Sequence, residues 1–190
     1  MNQEIVSAMK EKARAVRLGV VDALGVDKRG HLGGSMSCAD IVAALYFHKM
    51  RHDPKNRFMP DRDRFIMSKG HSIPVQYVIL SMLGIIPRDE LGTVKTLGTR
   101  LQGHPDINKT PGIEAPTGSL GQGLSFANGI ALAGRLDKRE FNVYVMCGDG
   151  ELQEGQVWEA AMTSGHYRLN NIRLIVDNNK YQSQGKTADL

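Results

Sequence analysis

Asp149 and Asn179 are the two residues of this sequence best spaced to do chemistry together. Asp149 lies in Gly148-Asp149-Gly150, directly behind the apolar run 142–147, and Asn179 follows a second apolar run, 172–176, through Asp177-Asn178. In open α/β sheets, ligands sit beyond the carboxyl ends of the strands. If both runs are strands, one carboxylate and one amide oxygen face the same crevice. Such hard oxygen donors suit Mg²⁺ or Ca²⁺, and Mg²⁺ takes few protein ligands, completing its shell with phosphate oxygens and water. Gly148 and Gly150 let the backbone come close to a phosphate, and N–H groups at a helix start favour an anion. Each turn alone could be ordinary, with Asp and Asn in their usual turn roles. Their pairing on one strand–helix–strand unit favours a metal–phosphate site.

Three histidines follow glycine in turns or at helix starts: Gly30-His31, Gly70-His71 and Gly103-His104. A histidine so placed can turn into a cavity, donate to phosphate or shuttle a proton. Gly165-His166 falls within an expected helix and is read as structural. His48 and His52 have a metal-ligand spacing but read as a polar helix end. Glu154 and Glu159 lie on the helix behind the Asp149 turn, where a solvated face is the simple alternative to a functional role. Nucleotide-loop patterns fail: Gly121-Gln122-Gly123 has Phe at 126, Gly148-Asp149-Gly150 has Gln at 153, and no GxxxxGK[ST] occurs.

The elements that must hold these residues follow from periodicity. Ile5, Met9, Ala13, Val16, Val20 and Leu24 mark a helix over 3–24. A Gly-rich turn spans 29–35, and Ser37 is expected to cap a helix over about 38–50. Arg64-Phe65-Ile66-Met67 reads as a strand. A helix over about 73–83 carries Pro74 in its first turn, where the missing N–H does no harm. A short helix is expected near 88–95, and 97–119 lacks either period, which marks a functional loop. The helix expected over 121–137 is rich in Gly, Ala and Ser, a sign of close backbone packing. Strand 142–147, helix 153–168 and strand 172–176 form a crossover with parallel, neighbouring strands. The fold class is α/β, a parallel sheet flanked by helices, with no linker dividing the chain.

Glycine supplies 21 of the 190 residues, about 11% against a usual 7%. The net charge of +4 is dispersed among acidic residues, so no nucleic-acid partner is expected. The longest apolar run is interrupted at Ser81 and Gly84, which excludes a spanning helix. Two cysteines without metal spacing, and an N-terminus without an apolar leader, fit a reduced, cytoplasmic setting.

The residues resemble the diphosphate-binding half of a transketolase, a thiamine-diphosphate enzyme. The motifs that carry the resemblance are Gly30-His31, Ser68-Lys69-Gly70-His71, Gly103-His104-Pro105, Thr117-Gly118-Ser119-Leu120-Gly121-Gln122-Gly123, and Gly148-Asp149-Gly150 with Asn179. They occur in order over about residues 13–190. The resemblance implies that Asp149 and Asn179 ligate Mg²⁺ or Ca²⁺ by side chain and Tyr181 by its backbone carbonyl. It implies that Gly150 contacts the diphosphate through its N–H and His71 through its ring, with Gly148 beside them, and that Gly118 and Leu120 line the cofactor, Leu120 beneath the thiazolium. His31 and His104 would face the sugar and assist proton transfer. Glu154 would join an acid network at a dimer interface.

Two departures accompany the match. Ser119 stands where the family often has Pro. The family's diphosphate half also continues beyond a point matching Leu190, and its pyrimidine domain supplies a Glu that acts on the aminopyrimidine. The expectation is therefore a diphosphate-binding domain over 1–190 short of its C-terminal part. It would act as the N-terminal component of a split transketolase, working on sugar phosphates with a separate pyrimidine-domain subunit in a dimer or heterotetramer. A dihydroxyacetone synthase, a deoxyxylulose-phosphate synthase or a non-catalytic cofactor-binding remnant is the alternative.

Overall fold

The structure is a computed structural model that describes residues 2–26, 30–183 and 185–189. Helix α1 (Gln3–Leu24) opens on Asn2, whose side chain accepts the Glu4 N–H at 2.9 Å, satisfying one of the free donors of the first turn. Its apolar stripe is buried only from Ala13 onward, through Val16, Val20 and Leu24, whereas Ile5 is exposed.

The segment after α1 differs from expectation. Helix α2 (Leu32–Ser37) starts inside the anticipated Gly-rich turn, and α3 (Ala39–Ala44) follows across Cys38, running on into one π-helical turn, Leu45–Lys49. Ser37 does not cap α3. It ends α2, and its hydroxyl donates to Gly34 O and to Asp177 Oδ2. A partner distant in sequence outcompetes the local capping role. Residues 27–29, part of that expected turn, lie outside the described residues.

Strand β1 (Arg64–Met67) leads through a 3-10 turn, Gly70–Ser72, into α4 (Ile73–Met82), with Pro74 in the first turn. Irregular chain with one 3-10 turn, Arg88–Thr93, then runs to α5 (Gln122–Leu136). Strand β2 (Val143–Gly148), α6 (Gly155–His166) and β3 (Ile172–Asp177) complete the crossover. A small antiparallel pair, β4 (Tyr181–Gln182) and β5 (Gly185–Lys186), follows β3 and was not foreseen.

The sheet order is β1-β2-β3, all parallel, with Met67 opposite Met146 and Gly148 opposite Asp177. Alternation along the strands divides the core in two. Phe65, Met67, Tyr144 and Met146 face α1, α3 and α4, while Ile66, Val143, Val145 and Cys147 face α5 and α6. Each fully buried Val or Leu contributes on the order of 1.5–3 kcal/mol. Both layers hold the sheet so that the ends of its three strands open on one side. The cysteines are free and buried, and burial pushes the Cys147 thiol up to about 12, so it is no nucleophile at neutral pH. Among the described residues no helix is long and apolar enough to cross a membrane.

Candidate functional site

A cavity of ≈670 Å³ opens beyond the carboxyl ends of the strands. That volume is within the range of small-molecule and cofactor sites. Its walls include His31, His71, His104, Gly118, Leu120, Gly148, Asp149, Gly150, Asn179 and Tyr181. Every residue to which the resemblance gives a role, except Glu154, is therefore brought to one place. Glu154 is exposed at the N-cap of α6, outside this wall. A smaller hollow of ≈260 Å³ near the amino end of β1 has Arg62 already paired with Glu114 and gathers no comparable set.

The turns after β2 and β3 are tied together. Asp149 Oδ1 accepts the Gly150 N–H at 3.0 Å, and Oδ2 accepts the Lys180 N–H at 2.7 Å. Asn179 Oδ1 accepts the Tyr181 N–H at 2.8 Å. Its amide nitrogen donates to Ser37 Oγ and Asp177 Oδ2, both at 3.3 Å, which fixes the direction of its oxygen. Each oxygen keeps lone-pair capacity beyond these bonds.

Among the described residues no group of three or more His, Cys, Asp and Glu gathers to hold a metal. A cation here would take one carboxylate, one amide oxygen and backbone or ligand oxygens, a set that fits Mg²⁺ or Ca²⁺ rather than a softer metal. Bare backbone lines the adjoining wall. Gly118 has φ +150, and a Cβ on it would come 2.8 Å from His104 Cδ2, while one on Gly150 would collide with Gln182 Oε1. Side-chain-free Cα edges beside an oxygen donor pair leave room for a bound diphosphate.

The His31 and His71 rings lie 4.8 Å apart, centroid to centroid. Burial, with His31, Lys69 and His104 adding to it, lowers His71 to about 4. His104 is lowered too, by burial first and then by His31 and Lys95. Both rings are consequently neutral near pH 7. Gly34 permits this crowding, since a Cβ there would come 2.6 Å from Ser72 Oγ and 3.3 Å from His71 Nε2.

Three site residues escaped the sequence reading. Lys69 is 1% exposed and donates to Gly34 O at 2.8 Å and to Asp177 Oδ2. Asp177, 5% exposed, gathers Lys69, Ser37 and Asn179 on one oxygen. Glu151, 2% exposed, borders the cavity beneath the N-terminus of α5. All three stand at or just past strand ends, and that position was the available signal.

A family model described as the thiamine diphosphate binding domain of transketolase matches residues 8–190. The 6-deoxy-6-sulfo-D-fructose transketolase subunit of Clostridium sp. (strain MSTE9) is 42% identical over 182 residues, which cover 96% of this chain and 66% of the relative. An apulose-4-phosphate transketolase subunit from Phocaeicola vulgatus is 42% identical over 190 residues, covering 100% of this chain and 66% of the relative. The chain thus spans just under two thirds of the length of these relatives. Among solved structures, the transketolase of Campylobacter jejuni superposes with a TM-score of 0.89 at 33% identity, covering 99% of this chain and 30% of that one. From the cavity at the strand ends to the family match over nearly its whole length, the chain belongs to the transketolase family, in its thiamine diphosphate-binding domain.

Proposed function

We propose that the chain is the N-terminal component of a split transketolase, transferring a two-carbon ketol unit from a ketose phosphate to an aldose phosphate. The convergence of Asp149, Asn179, Gly150 and His71 on one cavity carries this reading. Asp149 and Asn179, with the Tyr181 carbonyl, hold Mg²⁺ or Ca²⁺. Gly148, Gly150 and His71 receive the diphosphate, and Gly118 and Leu120 line the rest of the cofactor. Thiamine diphosphate, when bound, supplies the carbanion chemistry of the transfer.

The electrostatics support these roles. With Lys69 engaged by Asp177 and His71 neutral, the cation carries the charge compensation for a diphosphate. His71 then donates one hydrogen bond from its ring. His104, held below the ordinary imidazole value, is unprotonated at neutral pH and ready to accept a proton from a sugar hydroxyl. His31 serves the same face. Glu154, exposed at the N-cap of α6, is available to an interface acid network.

Relatives named as subunits support a pyrimidine-domain partner and a heteromeric enzyme. The two free buried thiols accord with a reduced, cytoplasmic setting. Calorimetric titration with thiamine diphosphate and Mg²⁺, with the partner subunit present, is the direct test. Metal-dependent binding that Asp149→Ala removes is the expected result; absence of any metal-dependent binding refutes the reading. Ketol-transfer assays with and without the partner test the split, and robust turnover by the chain alone would refute it.

A further inference from the structure

Glu151 has no part in the roles just given, yet its carboxylate ties two distant segments, at Ser68 and Gly121, to its own turn at Gly148. Oε1 accepts the Gly121 N–H at 2.8 Å and the Ser68 hydroxyl at 2.5 Å, and Oε2 accepts the Gly148 N–H at 3.0 Å. Ser68 Oγ in turn accepts the Gly123 N–H at 3.1 Å. Helix α5 has no side-chain cap of its own, because Gly121, in the left-handed region at φ +85, occupies that position. Two donors at its start therefore end on Glu151, one directly and one through Ser68. A buried charge is stabilised by such donors and by the positive end of a 15-residue helix. Gln156 Nε2 adds a further tie from α6, donating to Leu120 O at 2.6 Å.

We propose that Glu151 is a positioning residue that sets the separation between the Asp149 turn and the part of the cavity wall that carries Leu120. The proposal rests on the reading above, in which those two walls hold opposite ends of one cofactor. The carboxylate is specifically required. Glutamine has a single acceptor oxygen, and the Gly121 N–H and Ser68 hydroxyl together outbid the lone Gly148 N–H for it. Its NH₂ group is then turned against Gly148 N–H, donor against donor.

Amide hydrogen exchange on the full chain tests the tie without any ligand. Glu151→Gln is expected to speed exchange at Gly148 about tenfold or more, with Gly121 and Gly123 within about twofold of wild type. Glu151→Ala is expected to speed all three. Val145 and Ala131, in the body of β2 and α5, should not move in either variant. Unchanged exchange at Gly148, or acceleration at Val145 and Ala131 alongside it, overturns the proposal.

Titration of thiamine diphosphate and of inorganic pyrophosphate, each with Mg²⁺ and the partner subunit, tests the consequence. Glu151→Gln should weaken thiamine diphosphate about tenfold and weaken pyrophosphate, which reaches only the Asp149 wall, clearly less. Equal weakening of both, or of neither, overturns the positioning role. A wild-type protein that binds neither ligand overturns the cofactor reading instead, and the exchange pattern still decides the tie.

Discussion

The ammonium group of Lys69 and the carboxylate of Asp177 form an ion pair inside the protein, their side chains 2% and 6% exposed. Lys69 lies just past β1 and Asp177 ends β3, so the pair reaches across the end of β2. The same carboxylate oxygen accepts from Ser37 and from the Asn179 amide. One buried charge pair thereby braces α2, β1 and the turn that carries a candidate cation ligand.

Lys69→Met leaves Asp177 buried and uncompensated, and should destabilise the chain by about 3–5 kcal/mol. Adding Asp177→Leu removes the orphaned charge and should recover most of the loss. Urea unfolding of the two variants measures both effects. A double variant no more stable than the single one would show that the pair is not the source of the cost.

Asp149→Ala removes the one carboxylate of the proposed cation site together with its bonds to the Gly150 and Lys180 N–H groups. Metal-dependent thiamine diphosphate binding should weaken by about a hundredfold or more, since the lost group is charged. Circular dichroism should stay near wild type, because the change is confined to two surface turns. The calorimetric titration described above reads the effect.

His71 gives a pH dependence with a definite sign. Its value is about 4 in the folded chain against 6.5 for a free imidazole, so the unfolded state binds more protons between those limits. Stability contributed by the neutral ring is full above about pH 6.5 and falls as the pH drops toward about 4. NMR titration of the ring should give a midpoint near 4. In His71→Gln, the slope of unfolding free energy against pH across that window should flatten.

Gly118→Ala tests the bare wall. At φ +150 a side chain is strained, and the new Cβ would meet the His104 ring at 2.8 Å. The ring must shift within the cavity, and a cost of about 1–3 kcal/mol is expected. Thermal unfolding and thiamine diphosphate affinity should both decline, with affinity for Mg²⁺-pyrophosphate reduced less.

Local features were legible because they depend on neighbours in sequence. The 3.6-residue stripe of α1, the strand runs of β2 and β3, and the crossover between them could be read directly, as could the positions of Asp149 and Asn179 behind the strands. The Gly–His pairs were equally visible, since glycine marks where backbone must turn or come close. The breaks around Cys38 and the small β4–β5 pair were not, for neither has a periodic signature.

Residues far apart in sequence owe their partnerships to the tertiary structure alone. Ser37 reads as a helix cap until the sheet brings Asp177, 140 residues away, to its hydroxyl. Glu151 and Glu154 stand three residues apart in one motif, and Glu154 was the one singled out. The 3-10 turn after β2 aims Glu151 back beneath α5, where three donors wait, and leaves Glu154 at the surface. Sequence determined which turns could carry a metal and a phosphate, because turn chemistry is local. Which charges are buried, and what each one holds in place, was decided by packing, because desolvation and long-range hydrogen bonds exist only once the layers have met.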